Sequence, residues 1–399
     1  MMPIFKRAIP LFERLEAAGF EAYFVGGCVR DYILGKEIAD VDIATSATPE
    51  EVKHIFPKTI DVGIEHGTVI VLWDKETYEL TTFRTDGEYH DFRRPSDVTF
   101  IRSLEEDLKR RDFTMNSMAM NKEGQIIDPF YGQEAIHNRI IKTVGSAAER
   151  FHEDALRMMR AVRFVSQLNF SIDSETFLAL KANAGLLEKI ATERKTLEFE
   201  KLLKGEDRMA GFKLLLDSGL YQYLPGLRNQ EKALEQLLQY DIRELTTIEI
   251  WSLLLLLVGI ETDEAEHFLR KWKLPVKKIK MIKHIVGWVR YRLNSQWNRE
   301  DLYHAGDEHI LPAERIFNIY QHRPISESMA ELTEKYEKLT IKSRHQLAVS
   351  GHDLMEWCNK TGGPWVNEKL NQIEKAVINN VVNNNRDSIR EWLLKCNQS

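Results

Sequence analysis

Gly26-Gly27-Cys28-Val29-Arg30-Asp31, with Asp40-Val41-Asp42 shortly after it, is the stretch that decides how this chain folds. Residues 21–25 read as a short strand running into the Gly-Gly turn. Residues 29–34 start a helix that Gly35 closes, and residues 39–45 read as a second strand carrying Asp40 and Asp42. Side chains alternate along a strand with period two, so carboxylates one residue apart share a face. Glycines let a backbone approach phosphate oxygens with no Cβ in the way. Paired carboxylates supply the hard oxygen ligands that magnesium takes, one ion activating a hydroxyl and a second gripping a triphosphate. Asp-x-Asp alone fits an ordinary surface turn equally well, so its surroundings must decide.

Outward from this core, residues 4–18 carry apolar positions at helical spacing and end at Gly19, and Thr48-Pro49-Glu50-Glu51 is a helix start. Residues 67–73 and 77–84 are rich in β-branched and aromatic residues, and Asp74-Lys75-Glu76 separates them as a hairpin. Glu79 on the second of these strands is the best third carboxylate. Residues 85–97 turn polar, with Asp86-Gly87 and Arg93-Arg94-Pro95, and read as a mobile loop. A compact α/β head with a small mixed sheet is expected to end near residue 145. Beyond it the pattern is helix after helix (148–167, 174–182, 194–203, 208–217, 229–238, 245–259 and onward), so the fold class is α+β with a long all-α remainder.

Composition bounds the function. The chain has 399 residues, 43% hydrophobic and 29% charged, which describes an ordinary globular protein of two to four units. A net charge of −6 excludes a chain basic throughout but leaves room for a local basic stripe. Cys28, Cys358 and Cys396 are too few and too scattered for a disulfide framework or a zinc site, which points to a reducing compartment. The N-terminus lacks the apolar core of a signal peptide, and the apolar run Trp251 to Ile260 is too short to span a bilayer. A cytoplasmic protein without a membrane partner is expected. No obligate protein partner is evident, and a homodimer is left open.

Further motifs narrow the chemistry. No Walker loop and no Gly-x-Gly-x-x-Gly occurs. Arg110-Arg111-Asp112-Phe113-Thr114-Met115-Asn116 places adjacent arginines where a polyphosphate could be met. Asp128-Pro129-Phe130-Tyr131-Gly132 reads as a structural turn. Glu153-Asp154-Ala155-Leu156-Arg157 continues to Arg160 and Arg163, and on one helix Asp154 and the three arginines recur every third residue. Three arginines to one aspartate leave positive charge in want of an anion. An aspartate accepts from an exocyclic amine, and an arginine one turn on donates to the neighbouring ring nitrogen. Cytosine and adenine present that pair, whereas guanine and uracil present the reverse. Downstream, Arg270, Lys271, Lys273, Lys277, Lys278, Lys280, Lys283, Arg290 and Arg292 run uninterrupted by acids, with Trp272, Trp288 and Tyr291 interleaved, as suits an RNA backbone. Gly351-His352-Asp353 reads as a helix start, not a phosphohydrolase site.

Gly-Gly-Cys-Val-Arg-Asp, Asp-Val-Asp, Arg-Arg-Asp-Phe-Thr-Met-Asn, Asp-Pro-Phe-Tyr-Gly and Glu-Asp-Ala-Leu-Arg occur here in an order and spacing that resembles the bacterial class II CCA-adding enzymes, within the tRNA nucleotidyltransferase and poly(A) polymerase family. The motifs cover roughly residues 20–165. The resemblance implies a head (1–145), neck (146–205), body (206–300) and tail (301–399). It implies Mg2+ on Asp40 and Asp42, the catalytic pair, and nucleotide contacts from Gly27, Arg30 and Arg111. It makes Asp154, Arg157, Arg160 and Arg163 a protein template and triphosphate grip, with tRNA, CTP and ATP as partners and Lys277, Lys278 and Lys280 on the tRNA track. Cys28 stands where many relatives carry serine. In the family an intact loop accompanies the switch from C to A addition, and Asp86, Arg93, Arg94 and Pro95 look complete. A poly(A) polymerase, a partial CC- or A-adding enzyme, and a non-catalytic tRNA-binding protein are the alternatives.

Overall fold

Proline at its first position and apolar residues on one face make α1 (Pro3–Ala17), whose Phe5, Ala8, Leu11, Phe12 and Leu15 are buried. Phe5 and Phe12 pack on Phe24 of β1 (Ala22–Val25). Next come α2 (Gly27–Ile33), β2 (Asp42–Thr45), α3 (Pro49–Ile55), β3 (Thr59–Gly63), β4 (Thr68–Trp73) and β5 (Glu76–Thr82). Thr48 and Glu51 close a reciprocal cap on α3. Asp74 (φ 47°) and Lys75 (φ 68°) form the β4–β5 turn, and positive φ at both central residues matches the right-handed twist of a hairpin. The head is completed by β6 (Arg84–Asp86), β7 (Val98–Phe100), α4 (Leu104–Lys109), β8 (Ala119–Met120), β9 (Ile126–Ile127), α5 (Gly132–His137) and β10 (Ile140–Ile141). The computed structural model describes residues 2–87 and 98–396, without the Asp86 and Cys396 side chains. Arg93, Arg94 and Pro95 therefore lie outside the described residues.

Seven strands form one mixed sheet in the order β3-β4-β5-β2-β1-β8-β9, in which β2 and β5 run parallel and the other neighbours antiparallel. One ladder row crosses four strands: Asp42 pairs with Glu79, Glu79 with Ile70, and Ile70 with Ile60. Partners in a row share a face, so both carboxylates and both isoleucines stand on the same side of the sheet. Two expectations need correction. Asp40 precedes β2 instead of lying on it, because pairing with β1 begins at Asp42 opposite Val25. The sheet also includes β3, β8 and β9, which the sequence did not reveal.

The helical part of the first unit holds α6 (Ala147–Glu153), α7 (Leu156–Leu168), β11 (Ser171–Ile172), α8 (Ser174–Asn183), α9 (Thr192–Leu203), α10 (Arg208–Asp217) and α11 (Glu231–Leu237). The single helix expected over 148–167 is broken. Asp154 adopts an extended conformation (φ −133°, ψ 102°), and its carboxylate accepts from the Leu156 backbone N–H at 3.0 Å, an Asx-type turn that leads into α7. Small residues bring α7 close to its neighbours. A Cβ on Gly211 of α10 would lie 2.9 Å from Ser166 Cβ, and Ser166 Oγ donates to the Leu202 carbonyl of α9 at 2.7 Å. This clamp sets the rotation of α7 and with it the direction of its arginines.

The chain divides into two compact units, Met1–Leu238 and Gln239–Ser399. The second comprises α12 (Thr247–Val258), α13 (Ala265–Lys271), α14 (Val276–Asn294), α15 (Arg299–Ala305), α16 (Asp307–Tyr320), α17 (Met329–Glu337), α18 (Gly351–Cys358), α19 (Pro364–Ile378) and α20 (Arg386–Cys396). The leucine run is the buried α12, and Trp251 meets Trp272 edge-to-face at 4.9 Å in the core. Among the described residues no helix is long and apolar enough to cross a membrane. Gly351-His352-Asp353 opens α18, with Asp353 accepting from the Ser350 backbone N–H at 2.8 Å.

Candidate active site

Gly26 has φ +72°, and a Cβ there would stand 3.2 Å from Arg111 Nη1, so the turn before α2 admits glycine alone without displacing that guanidinium. Asp40, Asp42, Gly27, Arg30, Arg111, Asp154, Arg157, Arg160 and Arg163 all line a single cleft of about 1160 Å³. Nine basic and five acidic side chains line it, counting Arg and Lys against Asp. The surplus favours an anionic occupant. Residues brought together from positions 26 to 201 thus share one space.

Each arginine is held in place by a partner. Asp107, fully buried on α4, accepts from Arg110 at 2.8 Å and Arg111 at 3.1 Å. Its burial works to raise the pKa, but the charges of Arg110 and Arg111 outweigh that and hold it below the ordinary carboxylate value. Asp112 accepts from Arg160 Nε at 2.6 Å and from Asn116 at 3.2 Å. Burial again opposes ionisation, and the Arg160 charge with both hydrogen bonds brings the pKa down to about 2. Arg30 donates to Asn116 at 2.8 Å and to its neighbour Asp31 at 2.9 Å. Arg163 pairs with buried Glu198 at 2.9 Å. Its own burial and the nearby Arg160 lower its pKa to about 10, which still leaves it charged at neutral pH. Arg30, Arg160 and Arg163 surround the Phe164 ring at 5.3, 5.5 and 4.2 Å from its centroid.

Asp154 and Arg157 do not sit one turn apart on a helix. Asp154 receives Arg194 of α9 at 2.8 Å, while Arg157 donates to Glu153 at 2.7 Å and to the Arg110 carbonyl at 2.9 Å. Both nevertheless line the cleft. Sequence reasoning passed over Arg194, Asp107 and Glu198. Arg194 did carry a signal: a cation in the first turn of a helix opposes the macrodipole, so its charge is wanted elsewhere.

The carboxylates show the opposite electrostatics to those braced aspartates. Partial desolvation in the cleft raises the pKa of Asp42; Arg111 pulls it down and Asp40 adds to the rise. Glu79 is raised by desolvation and then by Asp42, with Arg84 opposing. Among the described residues no set of three or more His, Cys, Asp and Glu side chains forms a ready-made metal cage. Magnesium fits this donor set, because it is commonly held by one or two carboxylates together with waters and substrate phosphates. A cation between Asp40 and Asp42 would relieve the repulsion from Asp40 that adds to the desolvation of Asp42.

The basic stretch is less open than its sequence suggests. Trp272 is core, Arg270 pairs with Glu266, Arg290 with Glu261, and buried Arg292 with Glu314. Lys277 and Lys280 on α14 are exposed and Lys278 is half-buried.

The sequence model for the poly A polymerase head domain matches residues 22–142. Those for a probable RNA- and SrmB-binding site of polymerase A and for tRNA nucleotidyltransferase domain 2 match 169–231 and 244–393. A mixed-sheet head with paired carboxylates beside an arginine-lined cleft makes this a nucleotidyltransferase. A CCA-adding enzyme from a Geobacillus species is 50% identical over 98% of this chain and 97% of its own length. One from Bacillus cytotoxicus is 49% identical over 99% and 100%. The crystal structure of the Bacillus stearothermophilus CCA-adding enzyme in complex with CTP superposes with a TM-score of 0.91 at 46% identity, covering 100% of this chain and 98% of that one. The chain belongs to the CCA-adding enzyme family.

Proposed function

We propose that this chain adds C, C and then A to the 3′ end of tRNA from CTP and ATP, with Mg2+ and release of pyrophosphate. One observation carries the proposal: a single cleft joins the paired carboxylates to the Asp154 and Arg157 side chains and to the arginines between them. The similar Bacillus stearothermophilus enzyme was solved with CTP. Mg2+ on Asp40 and Asp42 would supply Lewis-acid activation of the terminal hydroxyl and neutralise charge on the triphosphate. Gly27 lets the backbone approach the nucleotide, and Arg30, Arg111, Arg160 and Arg163 grip its phosphates. Their own carboxylate partners hold these guanidiniums in place before substrate arrives, which lowers the ordering cost of binding. Asp154 and Arg157 select the base. The division into head, neck, body and tail at 145, 205 and 300, and a cytoplasmic location, belong to the same proposal.

Incubation of a tRNA lacking its last three nucleotides tests the whole reading. CTP with ATP is expected to extend it by three nucleotides, CTP alone by two, and ATP alone by none. Extension by CC or A only, or a long A tract, would replace the proposal with a partial enzyme or a poly(A) polymerase.

Lys277, Lys278 and Lys280 are proposed to contact the tRNA backbone. Changing all three to Glu is expected to weaken tRNA binding and flatten its salt dependence by up to about three units of slope, roughly one per lost phosphate contact. Unchanged affinity and slope would remove α14 from the tRNA track.

A further inference from the structure

A neutral side chain, Asn116, joins Arg30 to Asp112 and is buried in the tight turn Thr114–Asn116 between α4 and β8. A carboxamide has one end that accepts and one that donates, and these partners use both. Arg30 Nη1 donates to Asn116 Oδ1 at 2.8 Å, and Asn116 Nδ2 donates to Asp112 Oδ1 at 3.2 Å. The line continues, because the other Asp112 oxygen accepts from Arg160 Nε at 2.6 Å. All four side chains line the arginine-rich cleft. The two guanidiniums at its ends also approach one ring, at 5.3 and 5.5 Å from the Phe164 centroid. Arg30, a proposed phosphate contact on α2, is thereby tied to α7, where Arg160 lies about one turn beyond Arg157. Asp154 belongs to the same electrostatic set: burial works to lower the Arg160 pKa, but Asp112, Glu198 and Asp154 together raise it. The amide is hard to replace. A carboxylate at 116 would accept from Arg30 but repel the buried Asp112, and an alanine would strand a buried donor and a buried acceptor.

We propose that Asn116 is a positioning residue that couples the triphosphate grip to base selection, so that the cleft distinguishes C from U more sharply in a triphosphate than in a monophosphate, resting on the reading of Arg30 as a phosphate contact and of Asp154 and Arg157 as the base-selecting pair. A phosphate drawn to Arg30 fixes that guanidinium, the amide follows it, and Asp112 then presents a fixed oxygen to Arg160 at the base-selecting end. A buried polar line of this kind acts as one unit, because loss of any member leaves its neighbours unpaired. Coupling is reciprocal in binding free energy, so the correct base must strengthen triphosphate binding by the same factor.

Dissociation constants of CMP, UMP, CTP and UTP, measured on the full chain without RNA, test this. In the wild type the UTP/CTP ratio is expected to exceed the UMP/CMP ratio by about fivefold or more, the lower end of coupling between sites. Asn116→Ala and Asn116→Asp should bring the two ratios together, and Asn116→Gln, which keeps the amide, should restore part of the difference. A residue that merely supports the fold would weaken all four ligands alike and leave the ratios apart. If the Asn116 variants melt early, NMR on the wild type decides: the 15N side-chain amide signals of Asn116 should move when inorganic triphosphate is added alone and move further with cytidine. Ratios that stay apart in a well-folded Asn116→Ala, equal ratios in the wild type, or amide signals that triphosphate leaves in place would overturn the coupling. Equal binding of CTP and UTP by the wild type would instead overturn the reading of base selection itself, so the two failures are distinct.

Discussion

Asp42→Asn is expected to lower nucleotide incorporation on the order of a thousandfold, equivalent to about 4 kcal/mol of barrier, without lowering the melting temperature. Loss of activity without loss of stability separates a chemical role from a structural one, so the combination is diagnostic. The reason lies in the sign of the pKa shift. Desolvation, partly offset by Arg111 and reinforced by Asp40, lifts the folded-state pKa of Asp42 above its ordinary value. A carboxyl raised on folding costs stability at every pH above its folded pKa, and the cost fades as pH falls through it. Replacing the charge with an amide removes that cost, so Tm at neutral pH should hold or rise and the difference should shrink in acid. Protons compete with the cation for the same oxygens, so wild-type activity should fall as pH drops through the raised pKa range, and added Mg2+ should recover part of it. Substantial incorporation by Asp42→Asn or Asp40→Asn would refute the metal assignment. A marked fall in Tm would refute the electrostatic account.

What could be read from sequence followed the reach of local physics. Proline and a Thr48/Glu51 cap announce α3, and the β-branched runs flanking Asp74 and Lys75 announce the hairpin, because both signals act over a few residues. Strands β8 and β9 are two residues each, too short for any alternation to show. Asp154 illustrates a different loss. The helical period of Met158, Val162 and Arg163 extends smoothly backward over it, which hides a junction where the Asp154 carboxylate turns back to accept from the Leu156 N–H. The site arginines were legible as a cluster, yet their partners were not. Arg160 meets Asp112 from 48 residues away and Arg194 meets Asp154 from 40. Such pairs arise from packing of α7 against its neighbours, and no local rule encodes them. The picture of surplus arginines on a single helix face therefore gives way to a cleft in which cations are braced individually and nine basic side chains face five acidic ones.

Asp154→Ala is expected to relax discrimination between CTP and UTP by about 5- to 150-fold, matching the roughly 1–3 kcal/mol carried by a well-placed pair of base hydrogen bonds. CTP and ATP share an exocyclic amine beside a ring nitrogen, and a carboxylate next to a guanidinium accepts from one and donates to the other. Selectivity of that kind depends on direction as well as identity, because a carboxylate free to rotate would find a donor on any base. Here neither group is free. Arg194 and the Leu156 N–H occupy fixed positions on the Asp154 carboxylate, and Glu153 with the Arg110 carbonyl fixes the Arg157 guanidinium. Removing the acceptor should therefore leave kcat for CTP reduced but measurable while UTP incorporation gains. Exchanging donor for acceptor, with Asp154→Arg and Arg157→Glu together, should push preference toward GTP and UTP. Arg194→Ala should loosen selectivity by less than Asp154→Ala, since the acceptor survives and only its bracing is lost, and Arg194→Lys should restore part of it. Competition assays with all four nucleotides on the same tRNA read these ratios directly. An unchanged ratio in Asp154→Ala would move base selection away from this pair and onto other groups of the cleft.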